Sequence, residues 1–314
     1  MSLDIQKNIN LAPFTTFKIG GLAKFFIEIK NKEDLISAIN WAKENKKKII
    51  ILGGGSNILM NDKEINDLVI RFNNKNIDCN ENRIICEAGV TLQQILQIAK
   101  KNKLSGLEWS AGIPMATIGG AIRGNAEAFG NKISDILESV EVFDMKKNKF
   151  VIFSNQECRF NYRSSYFKEN NNYLIWKANL GLNKISEKDI QERILNNLKY
   201  RKENNPKLPS AGSIFKNIKL EEIKKNISDS LLEEILDSKV TRLDNIGAGL
   251  LIDVAGLKGK SIGGANVSLE HGNFIVNTGK ATAEDVVTLI SYIKNQIRNK
   301  FKIQLKEEIQ YLGF

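Results

Sequence analysis

Cysteine and histidine are scarce in this sequence, and their scarcity excludes whole classes of site. Among 314 residues there are three cysteines, Cys79, Cys86 and Cys158, and one histidine, His271. No two cysteines form a Cys-x-x-Cys pair, so the sequence predicts neither a disulfide framework nor a Cys/His zinc site. We therefore expect no bound metal and three ordinary thiols that are buried or half-exposed.

Long hydrophobic runs are absent as well. Apolar stretches such as Ile49 to Leu52 are far shorter than the roughly 20 residues that span a bilayer. The segment from Met1 to Lys7 has no basic stretch followed by an apolar one and a small-residue cleavage site, so export is not indicated. We expect a cytoplasmic, monomeric protein with no membrane partner.

The charge of the chain is positive but dispersed. Lysine and arginine outnumber aspartate and glutamate by 46 to 36, a formal net charge of +10. A nucleic-acid-binding protein would gather this charge into basic clusters interleaved with aromatic residues. Here the lysines are spread among asparagine and isoleucine, which is typical of a solvated surface, so nucleic acid is not the expected partner. The remaining field would favour small polyanions such as diphosphates.

The order of the predicted elements indicates two domains. A length of 314 residues exceeds what one hydrophobic core usually organises. The polar stretch Asn183 to Arg193 is the best candidate for a boundary, and we divide the chain into residues 1–185 and 186–314. Apolar periodicity predicts the following elements: strands Ala23–Ile29, Lys48–Leu52, Asp67–Phe72, Arg83–Ala88, Ser139–Met145, Tyr173–Leu182, Phe274–Val276 and Phe301–Leu312, and helices Leu35–Ala42, Thr91–Ala99 with a Thr91–Gln94 capping box, Leu220–Leu236 and Thr282–Ile297.

A glycine loop is the sharpest local signal. The apolar strand that ends at Leu52 runs directly into Gly53, Gly54, Gly55, Ser56 and Asn57. Three glycines let successive backbone N–H groups approach an anion closely, which is how a loop cradles a pyrophosphate. The loop has neither Walker nor Rossmann spacing. A flexible turn is the alternative interpretation.

A second glycine-rich segment extends from Gly106 to Ala126 and includes Pro114, one of only four prolines. Repeated glycines imply a backbone that something approaches closely, either a ligand or another backbone. Close packing of a helix is the alternative to ligand binding.

Motifs along nearly the whole chain, taken in order, resemble one enzyme family, the UDP-N-acetylenolpyruvoylglucosamine reductases. The similar segments are Thr16–Gly21, Leu52–Leu59, Ala111–Pro114 with Gly119–Ala121, Tyr162–Phe167, Pro209–Asn217, Gly249–Asp253 with Gly256–Gly259, His271–Asn277 and Leu305–Ile309.

The resemblance implies an α+β protein with an FAD-binding domain of the vanillyl-alcohol-oxidase (PCMH) type, followed by a smaller α+β substrate-binding domain. It implies non-covalent FAD, NADPH as co-substrate, and reduction of an enolpyruvyl sugar nucleotide to UDP-N-acetylmuramate for peptidoglycan. The residues that it assigns to the cofactor are Gly53, Gly54, Gly55, Ser56, Asn57, Gly112, Ile113, Pro114, Thr117, Gly119 and Gly120. Those that it assigns to the substrate are Tyr162, Lys216 and Asn217.

Three catalytic roles also come from the resemblance. Arg163 would hold and polarise the substrate carboxylate. Ser213 would be the proton donor, with a neighbour such as Lys216 to stabilise its alkoxide. Glu308 would orient the carboxyl group. Without the family, the same residues would be interpreted as a surface ion pair, a turn residue and a solvated strand residue.

Two segments depart from the family pattern. Met115 and Ala116 stand where the family more often has one glycine, so this loop is a residue longer and would reach the cofactor by a different backbone path. Glu127 replaces the commoner glycine after Asn125 and Ala126, which adds a carboxylate beside the predicted flavin site.

Two choices remain open at the level of single residues. Alternation over the final strand places Glu307 on the buried face, whereas the motif register selects Glu308, which we choose. His271 titrates near neutrality, which suits catalysis. A structural or substrate-adjacent hydrogen bond is the favoured role for His271, because Ser213 is the predicted proton donor.

An oxidase on the same flavin fold is the alternative function. Many such oxidases attach FAD covalently through a histidine or cysteine near the cofactor loops. The single histidine, His271, lies outside those loops, which favours the reductase.

Overall fold

The computed structural model describes residues 3–227, 232–233, 241–242 and 245–314. Contacts divide the chain into two units. One consists of Met1–Ile9, Ala23–Gly54 and Ile65–Glu203, and the other of Asn10–Leu22, Gly55–Glu64 and Asn204–Phe314. Two short N-terminal segments are therefore part of the unit that holds the C-terminal third. The functional division at residue 185 stays a prediction.

The two larger sheets described in the first unit hold most of its strands. One is parallel and has the strands Leu22–Ile29, Ile65–Phe72 and Ile49–Leu52 in that order. The other is antiparallel and has the strands Lys149–Ser154, Leu137–Asp144, Tyr173–Gly181, Arg83–Glu87 and Ile77–Asn80 in that order. Branched and aromatic residues dominate both sets, as pleated and half-buried surfaces require. The strands predicted in this part of the chain are confirmed to within a few residues.

Helices cover these sheets with apolar stripes. The helix Leu92–Lys101 buries Leu92, Ile95, Leu96 and Ala99, and its predicted capping box between Thr91 and Gln94 is present. The helices of the first unit are Lys32–Glu44, Leu92–Lys101, Ile118–Gly124, Tyr166–Glu169 and Glu187–Asn204.

Short elements join the longer ones. The short strands are Ile9–Asn10, Leu104–Ser105, Glu127–Ala128, Asn131–Lys132 and Asn183–Lys184, and the single turns of 3-10 helix are Ala12–Phe14, Glu108–Ser110, Ile133–Asp135 and Gln156–Cys158.

The second unit is built around one long helix and one antiparallel sheet. The helix Ala283–Phe301 buries Val286, Leu289, Ile290, Ile293 and Ile297, the stripe that its periodicity predicts. The sheet has the strands Ser210–Ser213, Phe274–Asn277, Ala265–Val267 and Ser261–Ile262 in that order.

The remaining elements of this unit are short. Ile58–Met60 pairs in parallel with Gln310–Leu312. A small sheet has the strands Ile218–Lys219, Asn245–Ile246 and Thr241–Arg242, and the other helices described are Leu220–Lys224 and Ala248–Val254.

The last predicted strand, Phe301–Leu312, is wrong over most of its length. The long helix continues to Phe301 and ends at Lys302, whose φ is +58°. Only Gln310–Leu312 forms a strand. Ile303, Leu305 and Ile309 are nevertheless buried as the alternation predicts. The pattern correctly reported burial, but burial alone does not require a sheet partner.

The predicted helix Leu220–Leu236 is interrupted in the part that the structure describes. A first helix ends at Lys224, residues 225–227 form a turn, and Leu232 and Glu233 are helical again. Most of the remaining prediction, over 228–231 and 234–236, lies outside the described residues.

The described histidine, cysteine and carboxylate side chains form no cluster that could hold a metal ion, and the three cysteines are free thiols. Nowhere in the described part of the chain do three His, Cys, Asp or Glu side chains gather as they would around a metal ion. Cys86 and Cys158 are buried free thiols and Cys79 is a half-buried one. Burial raises the pKa of Cys86 and of Cys158 to about 12, so both stay protonated at neutral pH. Among the residues described, no helix has the length and apolar composition that crossing a bilayer requires.

Candidate active site

The glycine loop is packed against the protein's own backbone. A Cβ atom on Gly54 would overlap the carbonyl oxygen of Met115. One on Gly55, whose φ is +64°, would overlap the carbonyl oxygen of Phe14. The side chain of Thr117 approaches Gly53, with its Oγ1 3.0 Å from the position of a Cβ atom. The glycines are therefore needed for close contact of the loop with other chain segments, whether or not a ligand is bound.

The backbone hydrogen bonds that the structure describes for this loop use its carbonyl groups. The Gly55 carbonyl accepts from the Thr16 N–H at 3.0 Å, and the Asn57 carbonyl accepts from the Gln310 N–H at 3.0 Å. Within either unit, as far as the described residues go, no backbone hydrogen bond uses the N–H of residues 54–57 as donor. Successive amides of this kind form an anion-binding concavity.

Asn57 connects this loop to the C-terminal segment. Its Nδ2 donates to the carbonyl oxygen of Glu308 at 3.3 Å. The strand Ile58–Met60 that follows pairs with Gln310–Leu312. The side-chain nitrogen of Asn57 thus has a structural use, and the cofactor role of Asn57 stays a prediction.

In the second glycine segment, close packing accounts for two of the glycines. A Cβ atom on Gly119 would lie 3.0 Å from the Cβ of Ala88, and one on Gly112, whose φ is +82°, would lie 2.6 Å from Cδ of Arg201. Thr117 caps the helix Ile118–Gly124, and its Oγ1 accepts from the Gly120 N–H at 3.4 Å.

The longer loop around Met115 has a definite place in the fold. Ala116 accepts a hydrogen bond from the Leu92 N–H at 2.8 Å. The neighbouring Met115 backbone lies against Gly54. Ile113 is half-buried, and the side chains of Pro114 and Met115 are exposed. The departure from the family pattern therefore falls on the segment that covers the first glycine loop.

Arg163 lies in a two-residue turn with a strained backbone. Asn161 and Ser164 exchange backbone hydrogen bonds of 3.0 and 3.1 Å, which places Tyr162 and Arg163 at the tip. The φ of Arg163 is +53°, a region that costs a residue with a Cβ atom on the order of 1–3 kcal/mol. Such strain persists only where neighbouring groups hold the backbone.

Three hydrogen bonds hold this turn. Nζ of Lys168 donates to the Arg163 carbonyl at 2.9 Å, and Nδ2 of Asn125 donates to the Asn161 carbonyl at 3.0 Å. Nη1 of Arg163 donates to the Glu127 carbonyl at 3.1 Å. Glu127 therefore serves Arg163 through its backbone, so the family's glycine could make the same contact.

Ser213 and Glu308 are carried by neighbouring segments of the second unit. The Glu308 N–H donates to the Ile214 carbonyl at 2.7 Å, and the Lys216 N–H donates to the Lys306 carbonyl at 2.8 Å. The structure thus brings the predicted proton donor, its predicted lysine neighbour and Glu308 onto paired segments. Asn217 follows them and is exposed. Arg163 and Tyr162 are in the first unit.

Glu307 has an ion pair of its own. Its Oε1 lies 2.8 Å from Nζ of Lys294, and both side chains are about a quarter exposed. Its carboxylate fastens the C-terminal segment to the long helix. Glu307 and Glu308 are both half-buried, so burial does not separate them and the choice of Glu308 stays a prediction.

His271 is used as a hydrogen-bond acceptor inside the second unit. Its Nδ1 accepts from the Asn273 N–H at 3.1 Å, and its ring lies 4.8 Å from the ring of Phe274. Burial, aided by the positive charge of Lys258, lowers the pKa of His271 below its ordinary value of 6.5. A neutral ring that accepts at Nδ1 fits the structural role that the sequence favoured.

Asn273 is the residue that sequence reasoning missed. It belongs to a motif that supported the resemblance, but no role was assigned to it. The structure buries it to 3% exposure and bonds its side chain to the backbone of Phe215. An amide in front of the buried strand Phe274–Asn277 was the available signal, because a buried amide needs partners.

Comparisons with known proteins agree along the chain. A model of an FAD binding domain matches residues 23–152, and a model of the UDP-N-acetylenolpyruvoylglucosamine reductase C-terminal domain matches residues 204–312.

Individual relatives carry the same name. The UDP-N-acetylenolpyruvoylglucosamine reductase of Caldanaerobacter subterraneus subsp. tengcongensis is 37% identical over 95% of this chain and 90% of its own length. That of Borreliella burgdorferi is 38% identical over 97% and 93%. A crystal structure of the reductase from Thermus caldophilus is similar with a TM-score of 0.79, at 30% identity, over 99% of both chains.

Substitution of Gly54 tests whether the loop is needed by the protein itself. We expect Gly54→Ala to destabilise the FAD-free protein by at least about 1–3 kcal/mol, because the new methyl group meets the Met115 backbone. Chemical denaturation with and without FAD measures this effect. Gly124→Ala is the control, since a Cβ atom there has no neighbour within 4 Å. Equal stability of the two variants would contradict the packing.

The single histidine makes the pH prediction direct. The folded state favours neutral His271, because the pKa of the ring there lies below 6.5. In the unfolded chain the ring takes up a proton near pH 6.5. The free energy of unfolding should therefore fall as the pH drops from about 7 to the lowered pKa of the folded state. NMR titration of its Cε1–H should give a pKa below 6.5. A pKa at or above 6.5 would show that the ring is solvated.

Proposed function

Because this chain belongs to the family of UDP-N-acetylenolpyruvoylglucosamine reductases, we propose that it uses NADPH to reduce UDP-N-acetylenolpyruvoylglucosamine to UDP-N-acetylmuramate, a precursor of peptidoglycan. The enzyme is an oxidoreductase with an FAD-binding domain. The observation that carries the proposal is similarity to this one family over nearly the full length of the chain, including the C-terminal domain that bears the family's name.

The glycine loop fits the pyrophosphate of FAD. Its carbonyl groups at Gly55 and Asn57 accept backbone hydrogen bonds, whereas among the described residues of either unit no backbone carbonyl accepts from the amides of residues 54–57. We assign these amides, together with the segment from Gly112 to Gly120, to the cofactor. FAD, when bound, supplies the carrier that takes a hydride from NADPH and passes it to the terminal carbon of the substrate's enol ether. The net charge of +10 also favours binding of the negatively charged diphosphate of the substrate.

Arg163 is assigned to the substrate carboxylate. A guanidinium presents a planar pair of donors to a carboxylate and stabilises the enolate-like charge that develops there as hydride arrives. Two hydrogen bonds hold the backbone of the strained turn, and the bond from Nη1 of Arg163 to the Glu127 carbonyl orients the guanidinium. Such fixing before the substrate binds lowers the entropy lost in the reaction. Tyr162, at the same tip, is assigned to substrate binding.

Ser213 is assigned to protonation of the carbon next to the one that receives the hydride. Addition of one hydride and one proton converts the carbon–carbon double bond into the saturated ether, so the electrons and protons balance. Gly212, with φ +77°, directs the chain at Ser213, and Lys216 follows three residues later. The ammonium of Lys216 would stabilise the alkoxide that Ser213 becomes. Lys216 and Asn217 are assigned to substrate binding, and Glu308 to orienting the carboxyl group.

The two halves of the reaction give the direct test. The purified parent protein should be yellow, lose its flavin absorbance with NADPH in the absence of oxygen, and regain it when UDP-N-acetylenolpyruvoylglucosamine is added. Ser213→Ala should lose the absorbance equally fast but regain it about 10²–10⁴ times more slowly, because a positioned general acid is missing. Stopped-flow absorbance at the flavin band measures both steps.

Ser210→Ala is the matched control for this variant. Ser210 lies in the same strand, Ser210–Ser213, and is assigned no proton transfer. We expect it to regain absorbance like the parent. Ser213→Ala that regains absorbance as fast as the parent would remove Ser213 as the proton donor, and a parent that binds no FAD would refute the function.

Substitution of Glu308 should change the reaction rate, whereas substitution of Glu307 should change the stability of the protein. Glu308→Gln should slow the second half-reaction, whereas Glu307→Gln should mainly lose its ion pair with Lys294, worth up to about 1 kcal/mol of stability. Half-reaction kinetics and chemical denaturation of both variants separate the two roles. A larger kinetic loss in Glu307→Gln would reverse the choice.

A further inference from the structure

Asn273 uses every polar group that it has. Its side-chain Nδ2 donates to the Phe215 carbonyl at 2.8 Å, and its Oδ1 accepts from the Phe215 N–H at 2.9 Å. Its own carbonyl accepts from the Ile214 N–H at 2.8 Å, and its N–H donates to His271 at 3.1 Å. At 3% exposure these bonds are shielded from water, so losing a partner is costly.

The side-chain amide of Asn273 makes the two hydrogen bonds to Phe215 that a peptide group of a longer strand would make. The strands Ser210–Ser213 and Phe274–Asn277 pair up to Ser213 opposite Phe274, and one further backbone bond joins the Ile214 N–H to the Asn273 carbonyl. Asn273 continues the pairing with its amide, because a carboxamide offers one donor and one acceptor, as a peptide group does. On this edge, the Phe215 backbone is thus bonded by the Asn273 side chain, one residue beyond the last backbone bond.

The opposite edge of the same segment is held by the C-terminal segment. The Ile214 carbonyl accepts from the Glu308 N–H, and the Lys216 N–H donates to the Lys306 carbonyl. Residues 214–216 are therefore bonded on both edges. A displacement at Phe215 would move Ser213 and Glu308 relative to each other.

We propose that Asn273 is a positioning residue for the protonation step, which it serves by clamping the Phe215 backbone and so fixing Ser213 against Glu308. The proposal rests on the proposed function and adds a residue to which the sequence assigned no role. Asn273 acts through Phe215 and does not touch the reacting atoms.

The chemistry of the clamp requires an amide. Aspartate has the same shape, but it would place a carboxylate oxygen against the Phe215 carbonyl and lose the Nδ2 donor. Alanine would lose both bonds and leave the Phe215 groups buried without them. Asn273→Asp and Asn273→Ala therefore break the clamp in different ways.

Asn277 provides the matched control. It is also a buried asparagine, at 4% exposure, at the other end of the strand Phe274–Asn277. Its Nδ2 donates to the Phe17 carbonyl at 3.1 Å, and its Oδ1 accepts from the N–H groups of Gly279 and Ala281 at 2.8 and 3.0 Å. Asn277→Ala and Asn277→Asp lose comparable bonds without touching residues 213–216.

The test follows the two half-reactions of full-length, FAD-loaded protein, with folding checked by circular dichroism and bound flavin. We expect both Asn273 variants to be reduced by NADPH as the parent is, and to be reoxidised by UDP-N-acetylenolpyruvoylglucosamine about 10 to 100 times more slowly at saturating substrate, since small misplacements cost that much. The KM for the substrate should change much less than this rate. The solvent deuterium isotope effect on reoxidation should rise, because proton transfer becomes limiting. A purely structural role would not raise it.

Three results would overturn the proposal. They are reoxidation of a folded Asn273 variant at the parent's rate, an unchanged isotope effect in a slowed one, and equal slowing in the Asn277 variants. If Asn273→Ala does not fold, Asn273→Asp, measured also at low temperature, decides. A parent that the substrate does not reoxidise would refute the proposed function itself, and with it the role of Asn273.

Discussion

Contact of backbone on backbone, with no room for a Cβ atom, is the constraint on which the two units depend. In the first unit, Gly54 lies against the Met115 carbonyl, and in the second, Gly21 lies against the carbonyl groups of Asp62 and Lys63. Such contacts bring polar groups of separate segments close together and fix loops that have no regular hydrogen-bond ladder. The glycine loop is therefore held in shape by the protein, and we propose that its amides of residues 54–57 bind an anion.

Hydrogen bonds to backbone fix the candidate catalytic groups where the strands and helices end. Arg163 extends from a strained turn that Asn125, Glu127 and Lys168 hold. Ser213 and Glu308 lie on segments bonded across Ile214 and Lys216, with Asn273 on the other edge. Both arrangements fix polar groups in the folded protein itself. Groups that are preorganised in this way stabilise charge that develops only in a transition state.

Elements with local signals could be predicted from the sequence, and elements that depend on distant partners could not. The capping box at Thr91 and the apolar stripes of both long helices act within a few helical turns, so both helices were found. The final strand was misjudged because alternation records burial and not pairing. The inclusion of Asn10–Leu22 and Gly55–Glu64 in the second unit depends on contacts with residues more than a hundred positions away, which no local pattern encodes. Within the site, the candidate residues were predicted from the resemblance to the family. The contact of Met115 with Gly54 and the clamp at Asn273 join residues far apart in sequence, so only the three-dimensional structure shows them.

The central claim is that the amides of the glycine loop hold the flavin pyrophosphate. A crystal structure of the FAD complex tests it most directly. The account predicts pyrophosphate oxygens within hydrogen-bond distance, about 2.7–3.2 Å, of backbone nitrogens among residues 54–57, with Met115 still against Gly54. A pyrophosphate bound elsewhere, with these amides facing solvent or another part of the chain, would contradict it.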